Sequence, residues 1–313
     1  MRIAIVSLLL AGIALVLAYM QPWMVTPLII GLTYGIAALG VSVMARAGQI
    51  SFGHAMYACI SGYALAFIAR AYPGTDTMVL IVASVIISTL FSTLIGVFVV
   101  KYRGIFFGML NLALSMVLFA LLGKMYHISG GTDGLRIPRP TVLGIEFERN
   151  EYEYILLIIA IAGALALAGL VQRYFKSGNG EALSAIKTNE TRLEYLGVSA
   201  YIIMLKGYVF SAAIVGFSGA LLALIQGLVT PEMGTWLRSG EYVFITILGG
   251  SVHAAGAFIG AAIFEGVKLI SSAYFPEFWQ TVLGITLILV IFLVPRGVVG
   301  EFIKRQEDKK RSQ

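Results

Sequence analysis

The chain has 313 residues, 59% of them hydrophobic and only 12% charged, with a mean hydropathy of +0.90. Soluble domains carry about 25% charged residues, so a composition this apolar excludes an ordinary soluble fold and fits an all-α polytopic membrane protein. The net charge of +6 is no argument for nucleic acid, because Lys and Arg of membrane proteins collect on the cytoplasmic side, and the lone Cys59 excludes an internal disulfide and a cysteine-rich metal site.

The first apolar run is Ile3 to Met20. Its length and the lack of a small-residue cleavage site in LAYMQPW favour an uncleaved span over a signal peptide. Pro22 and Pro27 bracket a turn, and Leu28 to Ala45 returns to Arg46. AGQISFGHA, residues 47–55, interrupts the apolar pattern before the run Met56 to Ala71. Met78 to Val100 and Ile105 to Gly123 are the next spans, joined through Lys101 and Arg103. A polar loop, 124–153, follows with GGTDGL and two prolines, and Tyr154 to Val171 crosses again.

Residues 173–206 then form a charged island between two uncharged spans. Apolar residues recur at Ala182, Ala185, Ile186, Leu193 and Leu196, a helical spacing. Gly178 and Gly180 precede this short helix, and Gly197 follows as its stop. Gly207 to Leu228 crosses outward, and VTPEMGTWLRSGE is expected as an outer connection. Tyr242 to Gly250 is too short for a straight span and is either completed by its flanks or dips in and breaks. Ala254 to Tyr274 and Trp279 to Val294 close the membrane part, 1–295, leaving a charged tail, 296–313.

About ten transmembrane helices, some broken or re-entrant, are therefore expected. Placing the island inside puts fifteen of the 22 Lys and Arg on that side and both termini with them, as the positive-inside rule requires. The pairs Gly31/Gly35, Gly104/Gly108 and Gly256/Gly260 are small-residue spacings that let helices approach closely.

Chemical motifs are sparse. The sequence has no P-loop, no H-E-x-x-H and no G-x-S-x-G, and His54, His127 and His253 lack metal-ligand spacing. Polar residues within the apolar part remain as candidates: Gln49, Ser51, His54, Asn111, Ser251 and His253 either line a translocation pathway or bond neighbouring helices. GQISFGHA and GGSVHAAG share an order of Gly, Ser and His-Ala, an echo of internal duplication. Glu265 and Lys268, three apart, are expected to neutralise each other.

AGQISFGHA, RGIFFGMLNLALS, GGTDGL, GEALSAIKTNETRLEYLGV, TPEMGTWLRSGE, ILGG and VPRGV together resemble the M-type permease subunit of branched-chain amino acid ABC importers, the LivM family. The resemblance implies the ABC importer permease fold in a bacterial inner membrane. It also implies a second, LivH-type permease, two cytoplasmic ATPase subunits that bind ATP and Mg, and an extracytoplasmic binding protein. No cofactor is implied for this chain itself. The island then resembles the cytoplasmic coupling loop of such permeases. Glu181, Ala182, Ala185, Ile186, Glu190, Leu193 and Gly197 are its expected ATPase-coupling residues, with the apolar stripe buried in a groove of the partner. Asp133, Glu232 and Arg238 are expected on the outer surface as contacts for the binding protein. The alternative is a stand-alone channel or secondary transporter for a small polar solute such as urea, which would need no coupling helix.

Overall fold

The computed structural model describes residues 12, 20–251, 253–274, 276–294 and 297–301. The expected first span, Ile3 to Met20, lies outside them apart from Gly12 and Met20, as does the tail beyond Glu301. The described residues are almost all helical: α1 Val25–Arg46, α2 Ala55–Ala71, α3 Thr77–Val99, α4 Gly104–Lys124, α5 Tyr126–Ser129, α6 Arg149–Phe175, α7 Gly178–Tyr195, α8 Ala200–Gln226, α9 Trp236–Gly249, α10 Ala254–Tyr274 and α11 Trp279–Leu293. Among the described residues, six helices are long and apolar enough to cross a membrane: α1, α3, α4, α6, α8 and α10. The chain is an all-α, multi-pass membrane protein, with six such spans and the shorter apolar α2 and α11 where about ten crossings were expected.

Helix α8 is the hub, packed against α1, α2 and α3. Its small residues make this possible. A Cβ on Gly219 would overlap the Ala58 backbone of α2, and one on Gly216 would press on Ser88 of α3. Hydroxyls then stitch the contacts: Ser211 donates to the Gly40 carbonyl and Ser218 to that of Thr33, both at 2.7 Å. In hydrocarbon such bonds replace the water that a soluble protein would use. Of the glycine pairs noted above, Gly256 and Gly260 press on the α9 backbone and Gly35 on Phe258, whereas Gly104 opens α4 with φ +60° and has open space around it.

Two expected loops carry short elements of their own. Residues 124–153 contain α5, a 3-10 turn at Gly131–Asp133 and the strand β1, Leu135–Arg136, and α6 already begins at Arg149. Strand β1 pairs antiparallel with β2, Leu228–Val229, in register Leu135 to Val229. The presumed outer connection after β2 instead turns inward. Pro231–Gly234 forms a 3-10 turn packed on α2 and α4, with Pro231, Met233 and Gly234 buried. Ser115 of α4 donates to the Gly234 carbonyl, and the Ala55 amide donates to Ser239 Oγ at 3.0 Å. The backbone leaves its helix inside the bundle, where protein groups supply its missing partners. Helix α9 thus has 14 residues, about 21 Å of a hydrocarbon layer about 30 Å thick. It draws its first turns from Trp236 onward and is broken on both sides.

Candidate functional site: a buried polar cluster and a short helix beside the bundle

The non-helical segment between α1 and α2 positions most of the polar candidates. Gln49 Oε1 accepts from the Gly104 amide at 2.7 Å, tying the segment to the start of α4. Ser51 and His54 are fully buried, with Ser51 Oγ 2.6 Å from His54 Nδ1. Gly53 lies so close to the Asn111 carbonyl that no side chain would fit. Beside them Tyr208 donates to Asn111 Oδ1 at 2.6 Å, which leaves Tyr57 to donate to Tyr208, also at 2.6 Å. Asn111 Nδ2 closes the set on the Phe107 carbonyl at 2.8 Å. The His54 ring meets Tyr208 and Tyr57 edge to face, at centroid distances of 5.2 and 5.7 Å.

Gln49, Ser51, His54 and Asn111 are therefore brought together, but all four are buried within this one chain. They knit α2, α4 and α8. Tyr57 and Tyr208, the two residues that link the rest, were absent from the sequence candidates. Ser251 and His253 lie apart, at the break between α9 and α10, where Gln172 Oε1 accepts from the Ala254 amide at 3.4 Å. Burial first and the Lys176 charge second hold the His253 pKa below its usual value.

Helix α7 is capped by Ser177, whose Oγ accepts from the Gly180 amide at 3.4 Å. Asn189 is extended (φ −161°, ψ 97°), so the single expected helix is two, and the Asn189 side chain caps the second through the Arg192 amide at 2.9 Å. Gly197 ends it at φ +79°, the left-handed value a stop glycine supplies. The apolar stripe points inward: Ala182, Leu183, Ile186 and Leu193 are buried against the chain itself, with Leu183 filling the space beside Gly207. The stripe expected in a partner's groove is thus partly covered by the chain itself, at Leu183 and Ile186. Glu181 and Gly197 are exposed and Ala185 is half-buried. Tyr195 and Leu196 are 88% and 76% exposed. A cleft of about 440 Å³ opens beside them, lined by residues that include Ala182, Ala185, Leu193 and Val198.

Two arginines fasten α7 to the ends of the spans. Arg46 donates from Nε to the Gly180 carbonyl at 3.1 Å and lies over the Phe175 ring at 4.7 Å. Arg103 grips Glu190 with two bonds, of 2.9 and 2.8 Å. The Lys187 side chain covers Gly48 (φ +72°), reaching the polar segment itself.

Residues 23–291 match the family described as branched-chain amino acid transport system / permease component. The chain belongs to this family. The permease is 28% identical over 312 residues to the high-affinity branched-chain amino acid transport system permease protein LivM of Escherichia coli K12, covering 91% of this chain and 73% of that one. It is 27% identical over 288 residues to LivM of Salmonella typhimurium, covering 85% and 67%. Against LivH of the same organism the identity is 26% over 292 residues, covering 87% and 92%. No solved structure matches the permease.

The expected docking residues separate. Asp133 and Glu232 are both exposed, on 3-10 turns that pack together because β1 and β2 pair. Arg238 of the permease is held elsewhere. It pairs with Glu241 at 2.8 Å, donates to the Tyr34 hydroxyl and stacks 5.5 Å from that ring's centre. Glu265 and Lys268 approach as expected, at 3.8 Å.

Proposed function

We propose that the chain is the permease subunit of an ATP-driven ABC importer and forms half of the translocation pathway for branched-chain or related amino acids. Its partners are a second, homologous permease, two cytoplasmic ATPase subunits that hold ATP and Mg, and an extracytoplasmic binding protein. It resides in a bacterial inner membrane with both termini cytoplasmic. One observation carries this reading: a short helix outside the bundle, fastened by Arg46 and Arg103 to the ends of the spans, that leaves Tyr195 and Leu196 bare. An apolar surface beside a cleft suits contact with another protein. Reconstitution in proteoliposomes tests the reading. The complete complex should take up leucine only with ATP, and the chain alone should neither hydrolyse ATP nor transport. Leucine or urea uptake by the chain alone would overturn it.

A further inference from the structure

Four charged side chains stand in or beside the membrane-spanning helices around one tyrosine. Arg238 and Glu241 of α9 pair at 2.8 Å, and Glu265 and Lys268 of α10 approach to 3.8 Å. Both cations flank the Tyr34 ring, near the middle of α1, with Arg238 at 5.5 Å and Lys268 at 5.2 Å from its centre. All four side chains are between 19% and 25% exposed, so the group is neither sealed in the bundle nor spread on its surface.

The α10 pair is poorly satisfied by its own protein. A separation of 3.8 Å is beyond hydrogen-bonding distance. Glu265 Oε1 is buried and has no hydrogen-bond partner among the described residues. Beyond Glu265, the Lys268 ammonium faces rings: Tyr34, Phe264 at 5.9 Å and Trp279 at 5.7 Å. Charges at membrane depth face a protein interior or a watery cavity, because hydrocarbon cannot solvate them. A neutral pair of apolar residues would be at least as stable as a loose ion pair. What the pair leaves unmet is one acceptor and one set of donors, side by side and walled by aromatic rings.

We infer that Glu265 and Lys268, supported by Arg238, Glu241 and Tyr34, form a recognition site for the zwitterionic head of an aliphatic α-amino acid. The ligand ammonium is taken by Glu265, its carboxylate by Lys268, and its side chain lies against the rings of Phe264 and Trp279. The site deepens the functional reading above and rests on it.

The test uses the whole importer in proteoliposomes, with leucine as the probe. Two double variants are compared with wild type: Glu265→Gln with Lys268→Met, and the exchange Glu265→Lys with Lys268→Glu. Both should assemble and retain ATP hydrolysis stimulated by the leucine-loaded binding protein, while leucine uptake falls by about tenfold or more, the equivalent of losing one good charged contact. The exchange keeps an ion pair but reverses the dipole offered to the ligand, so it should not restore uptake. Normal uptake in the neutral variant, or rescue by the exchange, would overturn the site. So would loss of assembly in both, which would make the group a structural contact. A wild-type importer that takes up no amino acid would instead refute the functional reading itself.

Discussion

Tyr208 is the residue on which the buried cluster turns. Its hydroxyl is shared between Tyr57 and Asn111, and its ring meets those of His54 and Phe107. Tyr208→Phe preserves the ring but leaves the Asn111 carbonyl and the Tyr57 hydroxyl short of a partner in a buried place. The expected cost is about 1–3 kcal/mol, read as a lower midpoint of thermal unfolding in detergent. Tyr57→Phe, which removes only the outer donor, should cost less. An unchanged midpoint for Tyr208→Phe would mean that the network is not holding α2, α4 and α8 together. Polarity within an apolar run was enough to single out Gln49, Ser51, His54 and Asn111 in the sequence. It could not single out the tyrosines, because a tyrosine in a span is as much at home in a core or at the membrane interface. Nor could polarity say whether those residues face an opening. That depends on which helices close around them.

At the scale of the element, α7 was legible as a short helix bounded by glycine, but not its direction. Helical spacing marks an apolar face without naming what covers it, and here Leu183 and Ile186 are buried against the chain itself while Ala182, Ala185 and Leu193 line the open cleft. The break at Asn189 was hidden because asparagine is tolerable within a helix and is also a favoured cap. The exposed Tyr195 and Leu196 are then the residues to probe. Tyr195→Ser with Leu196→Ser should leave insertion and thermal stability unchanged and weaken recovery of the ATPase with the complex. Ala185→Pro, which costs roughly 3 kcal/mol in a helix interior, should abolish ATP hydrolysis stimulated by the binding protein in a chain that still inserts. Full coupling in both variants would exclude α7 as the coupling element.

For the whole molecule, the apolar runs gave the class and nearly every helix, because a span needs length and little else. They missed how the segment after β2 packs. Segment 229–241 looks like a polar connection by composition, yet the pairing of β1 with β2 and the bonds at Gly234 and Ser239 draw it inward. Such pairings across about ninety residues leave no local signal. Of the residues expected to contact a binding protein, Asp133 and Glu232 are exposed. Asp133→Lys with Glu232→Lys should therefore reduce stimulation of ATP hydrolysis by the loaded binding protein without changing the basal rate. Arg238→Glu, which removes a partner of Glu241 and Tyr34, should lower the stability of the chain instead. Unchanged stimulation in the double reversal would place docking elsewhere.

The inward turn after β2 has a consequence for how distant parts of the chain are linked. Its far end rests on the Ala55 amide through Ser239, and residues 47–54, just before Ala55, are held from the other side by Lys187 at Gly48 and by Gly104 at Gln49. One short stretch, residues 47–55, is thus touched both by the segment after β2 and by helix α7. A shift of either element would therefore be felt at the same few residues of AGQISFGHA.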